Sequence, residues 1–197
     1  MSTTLVLQWL AVVGAIAYLG LVIRESILCW WFAGASSAIY VYLTWQVNLV
    51  GQAALNAFYV AMAAYGYWRW RGGQSNDDSV PVVRWSLGIH GVALLAIAGG
   101  TLLVTASRNA LTSSELTMID SVGDSATTLA AIWTTYLVAR KELNSWFYWV
   151  VIDIATIVLF VRQGLTEAAL PFAIYLVMIP FGYIAWRRTY ELQTNAV

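Results

Sequence analysis

The sequence predicts an all-α membrane protein: seven transmembrane helices forming two parallel three-helix bundles joined by a linker helix, a 3+1+3 arrangement. Three observations carry this. The 197 residues are 60% hydrophobic and 10% charged, with a mean hydropathy of +0.70, far from the balance of a soluble domain. The apolar runs are close to the ~20 residues that a helix needs to cross a bilayer. The pattern of the first three runs also recurs, at an offset of 116 residues, in the last three.

The spans are read at 4–23, 27–45, 52–70, 84–106, 117–138, 145–162 and 165–186. The first lacks the basic start and small-residue cleavage site of a secretory signal, so it is expected to remain as a span. Arg24-Glu25-Ser26 and the stretch from Gln46 to Gly51 make the first two connections. The third, from Arg71 to Val83, is the longest; Gly72-Gly73, Asp77-Asp78 and Pro81 mark it as the linker. Ser107 to Leu116, Arg140 to Asn144 and Gln163-Gly164 complete the connections, and a short polar tail follows Trp186. The domain division is therefore 1–70, 71–116 and 117–197.

Charge sets the orientation. With seven spans, Arg24, Arg69, Arg71, Arg84, Arg140, Lys141, Arg187 and Arg188 fall on one side, and Arg108 and Arg162 on the other. The positive-inside rule places the larger group in the cytoplasm, with the N-terminus outside and the C-terminus inside.

The repeat is detailed. Leu21-Val22-Ile23-Arg24 aligns with Leu137-Val138-Ala139-Arg140, and Trp30 with Trp146. Leu43 and Leu49 align with Leu159 and Leu165, and Tyr59 aligns with Tyr175. Tyr65-Gly66-Tyr67 matches Phe181-Gly182-Tyr183, and Trp70 matches Trp186. Three helices per copy is an odd number, so direct fusion would invert the second copy. The fourth span crosses once more and keeps the copies parallel, a known transporter design with its site near the midplane between repeats.

Trp146, Trp149 and Asp153 lie at i, i+3 and i+7 on one face of the sixth span. An ionised Asp at mid-membrane costs about 2.5–3.5 kcal/mol on insertion scales, so it should face a cavity or partner. Indoles beside a carboxylate suit a flat cationic ligand. Otherwise Trp146 is a belt residue, Trp149 a core indole and Asp153 a structural acid. The equivalent face in the first copy is Trp30, Ala33 and Ser37. Gln52, Asn56 and Tyr59 form a polar stripe on the third span, either a ligand wall or interhelical glue. Asp120 and Asp124 precede Thr127, Thr128, Thr134 and Thr135 on the fifth; Asp124 reads as a cavity or proton site, or as a structural acid. Pro171 and Pro180 in the seventh span are a hinge or static kinks. His90 reads as a structural hydrogen-bonding group. Gly66 and Gly182 read as close-packing positions.

Several classes are excluded. The lysine count stops at Lys141, at a helix end, where retinal chemistry needs one within the membrane. There is no HExxH, no paired-cysteine motif and one cysteine, Cys29. Gly123-Asp124 lacks the first glycine of an intramembrane aspartyl protease, where Ser121 stands. No enzyme, cofactor or metal is expected. Zero net charge without a basic patch argues against nucleic acid.

Taken with Trp30-Trp31-Phe32, Ser36-Ser37, Asn56-Ala57-Phe58-Tyr59, Arg140-Lys141 and Asn144 to Asp153, this pattern resembles the Pnu-type vitamin transporters, relatives of the SWEET sugar transporters. The resemblance covers nearly the whole chain. It implies a SWEET-like fold in a bacterial inner membrane and passive import of a water-soluble cationic B vitamin that a cytoplasmic kinase then traps. It leaves room for a homo-oligomer. Nicotinamide riboside carriers of this family commonly have Asn where Asp153 stands. The carboxylate and the short chain favour thiamine, with nicotinamide riboside and a proton-coupled carrier as alternatives. The expected ligand set is Trp149, Asp153, Asn56, Tyr59, Gln52, Trp30, Ser37, Trp146, Asp124 and Tyr175.

The orientation is testable. In a Cys29→Ser background, a cysteine at Arg71 should resist an impermeant thiol reagent added outside intact cells, and one at Arg162 should react.

Overall fold

The computed structural model describes residues 3–72, 80–111 and 117–195. Asp77-Asp78 of the linker and residues 112–116 lie outside them. The described chain forms seven helices: α1 (Thr3–Ile23), α2 (Cys29–Gln46), α3 (Val50–Arg71), α4 (Leu87–Leu111), α5 (Met118–Ala139), α6 (Ser145–Arg162) and α7 (Thr166–Asn195). Three boundaries depart from the sequence reading by three residues or more, one of them the end of the fourth helix, which runs on from 106 to Leu111. The fourth helix begins at Leu87 because the residues before it run extended along the α5–α6 turn. There Val83 N donates to Lys141 O (3.0 Å) and Leu143 N to Val83 O (2.9 Å). The seventh continues past Trp186 to Asn195, supported by Arg187 Nε donating to Glu191 Oε1 (2.8 Å) and by Gln193 Oε1 accepting from Val82 N (3.2 Å).

Among the described residues four helices, α1, α4, α6 and α7, are long and apolar enough to cross a membrane by composition alone. The other three carry Ser36, Ser37, Gln52, Asn56, Asp120, Asp124 and the threonines, which lower their hydropathy. The structure satisfies many of these groups locally: Ser36, Thr44, Thr127, Thr134 and Thr135 each donate to a backbone carbonyl one turn back. Pro171 and Pro180 both lie inside α7, which remains continuous.

The helices close into a ring. α1 packs on α2 and α2 on α3; α5 packs on α6 and α6 on α7. The contacts α1–α7 and α3–α5 join the two sets, and α4 lies outside the ring against α5.

The offset of 116 reappears in the turns. Glu25 and Lys141 have φ of 54° and 50°, and Asn48 and Gly164 have 58° and 74°. Each ends a helix in a Schellman motif. Ser26 N donates to Leu21 O (2.9 Å) as Glu142 N does to Leu137 O (2.9 Å). Leu49 N likewise donates to Thr44 O (2.9 Å) as Leu165 N does to Phe160 O (2.8 Å). Glycine fills this left-handed position without strain at 164, whereas Glu25 and Lys141 hold it at a cost of about 1–2 kcal/mol each.

The core repeats as well. Trp30 meets Trp70 edge to face at 5.4 Å, and Trp146 meets Trp186 edge to face at 5.3 Å. Trp30 lies flat over Gly66 and Trp146 over Gly182, so closely that a Cβ on either glycine would overlap the indole. All four indoles are buried.

Overpacking at such a contact costs about 1–3 kcal/mol. Gly66→Ala and Gly182→Ala should therefore each lower the melting temperature of the purified protein. Gly51→Ala and Gly99→Ala, where nothing lies within 4 Å, should leave it nearly unchanged.

Candidate functional site

The α6 face divides along its length. Trp146, the second residue of the helix, is buried under Trp186 and Gly182. Trp30 is its counterpart in α2. Both indole N–H groups are enclosed without a hydrogen-bond acceptor. Both candidate residues therefore lie within the packed core. Trp149, one turn further, is half-buried against the same core.

Asp153 comes next, one more turn on. It is 2% exposed, so it faces the protein and not lipid. Its carboxyl group makes no hydrogen bond or ion pair among the described residues. A buried carboxylate in that state is costly unless a partner arrives. Its equivalent, Ser37, is also buried, and its hydroxyl likewise has no partner among the described residues. At 1.5 Å rise per residue, these two groups stand about 10 Å along their helices from the Trp30 and Trp146 layer.

Tyrosines surround this level. Tyr175 of α7 lies within electrostatic range of Asp153 and of Tyr40 in α2. Tyr18 of α1 lies between the two levels, within range of Tyr59 in α3 and with its ring 6.2 Å from that of Trp30. All four are half-buried. Tyr59 and Tyr175 are equivalent positions, and each touches a neighbouring phenylalanine on its own helix: Phe58 at 5.8 Å and Phe172 at 5.8 Å. Tyr18 and Tyr40 were not singled out by the sequence. The signal for Tyr40 was present, since it follows Ser37 by three residues on one helix face.

The remaining candidates lie elsewhere or bond locally. Asn56 Nδ2 donates to Gln52 O (2.9 Å), within its own helix, and Gln52 is exposed. Asp124 turns to α4, where its Oδ2 accepts from Arg108 Nη1 at 2.7 Å, both side chains more than a third exposed. Asp120 accepts from Arg162 Nε (2.9 Å) and from the Thr117 hydroxyl (2.6 Å), which also caps α5 through Asp120 N. The two arginines of the sparsely charged end are therefore each held by an α5 acid. His90 bonds Tyr148 (3.1 Å) and Asn144 (3.2 Å), a structural bridge from α4 to the start of α6.

The opposite end carries Arg140, whose guanidinium lies 5.9 Å from the Trp85 ring and 6.0 Å from the Tyr136 ring. Hydrogen bonding to Tyr65 pushes its already high pKa further up. No group of three or more His, Cys, Asp or Glu side chains placed to hold a metal occurs among the described residues. The assembly offers one indole, several phenols and one unpaired acid, which is recognition chemistry.

Known proteins give an independent comparison. The family model for the nicotinamide mononucleotide transporter matches residues 5–188. The nicotinamide riboside transporter PnuC of Escherichia coli (strain K12) is 24% identical over 204 residues, covering 91% of this chain and 85% of the relative. The riboflavin/roseoflavin transporter RibM of Streptomyces davaonensis is 26% identical over 152 residues, covering 76% and 70%. A crystal structure of the vitamin B3 transporter PnuC superposes with a TM-score of 0.74 at 23% identity, covering 94% of this chain and 82% of that one. The fold is shared with that structure.

Proposed function

The chain belongs to the nicotinamide mononucleotide transporter family, and on that premise we propose that it is a uniporter importing a flat, cationic, water-soluble vitamin. Nicotinamide riboside is the leading substrate. Thiamine, favoured by Asp153 and the short chain, yields to it because the matching relatives are named for nicotinamide riboside and for riboflavin. Both vitamins carry a ring cation, so the physical reading of the site is the same for each.

The observation that carries the proposal is Asp153: buried, its side chain without a partner among the described residues, and on one helix face with Trp149. Trp149 would stack the ring, and Asp153 would balance its charge. Tyr175, Tyr59 and Ser37 would supply hydroxyls, with Asn56 bordering the ligand. Trp30 and Trp146 would fix the geometry from below without touching it. The helices fit two parallel three-helix bundles, α1–α3 and α5–α7, with α4 as the connector, and alternating access would rock one bundle against the other. The charge asymmetry supports an N-terminus outside and a C-terminus in the cytoplasm of a bacterial inner membrane, where a vitamin kinase would trap the cargo.

Desolvated cation–π and charge contacts are worth about 1–2 kcal/mol, or roughly 5–30-fold in Kd. Trp149→Ala and Asp153→Asn should each weaken nicotinamide riboside binding by that factor, read by calorimetry or thermal shift against thiamine and riboflavin. Wild-type affinity in both variants would place the ligand elsewhere. In proteoliposomes, uptake should run to equilibrium without a pH gradient; accumulation driven by one would favour proton coupling through a carboxylate.

A further inference from the structure

The side-chain hydrogen bonds that join the first three helices to the last three gather at one end of the molecule. Trp70 Nε1 donates to Ala139 O (3.1 Å) and Trp186 Nε1 to Val22 O (2.9 Å). Lys141 Nζ donates to Glu25 Oε2 (2.7 Å), and the Thr189 hydroxyl to Glu25 Oε1 (2.6 Å). Ring contacts between Tyr65 and Tyr136 (6.2 Å) and between Trp70 and Trp186 (6.3 Å) lie at the same end. At the other end, Arg108–Asp124, Arg162–Asp120 and Thr105–Ser125 all run within α4–α6. The halves are tied at the arginine-rich end.

Glu25 and Lys141 are the same position in the two copies, 116 residues apart. About a two-fold axis, a position at the axis meets its own equivalent. Two identical ionised residues there would repel. This chain carries an acid in one copy and a base in the other, which turns the meeting into an ion pair. Both residues hold a left-handed backbone that glycine would adopt without strain, so their side chains are retained against a conformational cost. Lys141 is 2% exposed and its ammonium lies 4.7 Å from the Trp70 ring centroid. A long cation so enclosed has little use in a mobile surface turn.

We propose that Glu25 and Lys141, with Thr189 as a second hydrogen bond to Glu25, form the latch that closes the pathway at the cytoplasmic end, and that their separation releases the cargo inward. This rests on the carrier reading. The ion pair draws together equivalent turns at the ends of α1 and α5 and closes the space below the Asp153 level. The structure is accordingly a state closed at this end.

The test measures distance without needing a ligand. Spin labels go on cysteines replacing Arg71 and Arg188, exposed residues near the ends of α3 and α7, in a Cys29→Ser background. Ser145 occupies the equivalent position to Cys29, so that background repeats a residue already tolerated. The intact latch should give one dominant short distance. Lys141→Met and the isosteric Glu25→Gln should each raise a longer population by about tenfold or more. The exchange of Glu25→Lys with Lys141→Glu should return the short distance. A single unchanged distance in both variants, with or without a fall in melting temperature, makes the pair a static brace and overturns the latch. Nicotinamide riboside flux is scored separately: a lengthened distance with no flux in the unlabelled wild type counts against the carrier reading alone.

Discussion

Two flat indoles pressed on two glycines hold this molecule together. Trp30 over Gly66 and Trp146 over Gly182 bring the second helix of each half onto the third more closely than any side chain would permit. In a membrane, lipid tails are as apolar as leucine, so helices associate through tight packing and hydrogen bonds. A bare backbone against a broad ring is the tightest packing available. Each indole then offers an edge to a second one, Trp70 or Trp186, whose N–H reaches a carbonyl in the other half. The order runs from glycine to indole, from indole to partner indole, and from there across the molecule. The Asp153 level stands on this floor.

Much of the fold was legible because membrane helices leave a strong signal. Every span has its helix, with the largest differences at Asn195, Leu111 and Leu87. The late start of α4 follows from backbone pairing between Val83 and the Lys141–Leu143 turn, a tertiary contact that no local pattern reveals. The repeat was visible in Trp30, Gly66 and Trp70 and their counterparts. Its reach into the turns was not, because Glu25 and Lys141 share a conformation while differing in charge.

The site was legible in part. Asp153 stood out because an acid in an apolar run is costly, and the structure leaves it inside and unpaired. Spacing alone could not divide Trp146 from Trp149; the division depends on tertiary contacts, since α7 places Gly182 and Trp186 against Trp146 while Trp149 stays half-buried at the edge of the same core. Asp124 resembled Asp153 in sequence, but Arg108 of α4 lies 2.7 Å away. That partner is sixteen residues earlier in the chain and on another helix, beyond the reach of any helical period. Tyr18 and Tyr40 escaped notice because phenols in membrane helices are common.

The extended segment before α4 carries a mechanical consequence. Val83 exchanges two backbone hydrogen bonds with the α5–α6 turn, Trp85 N donates to the buried Glu142 carboxylate (3.3 Å), and Val82 N reaches Gln193 at the end of α7. His90 and Asn144 add a further stitch. A helix sewn at four points to one side is anchored there and not merely laid against it. The fourth helix is therefore fastened to the turn between α5 and α6 and to α7 through the segment that precedes it.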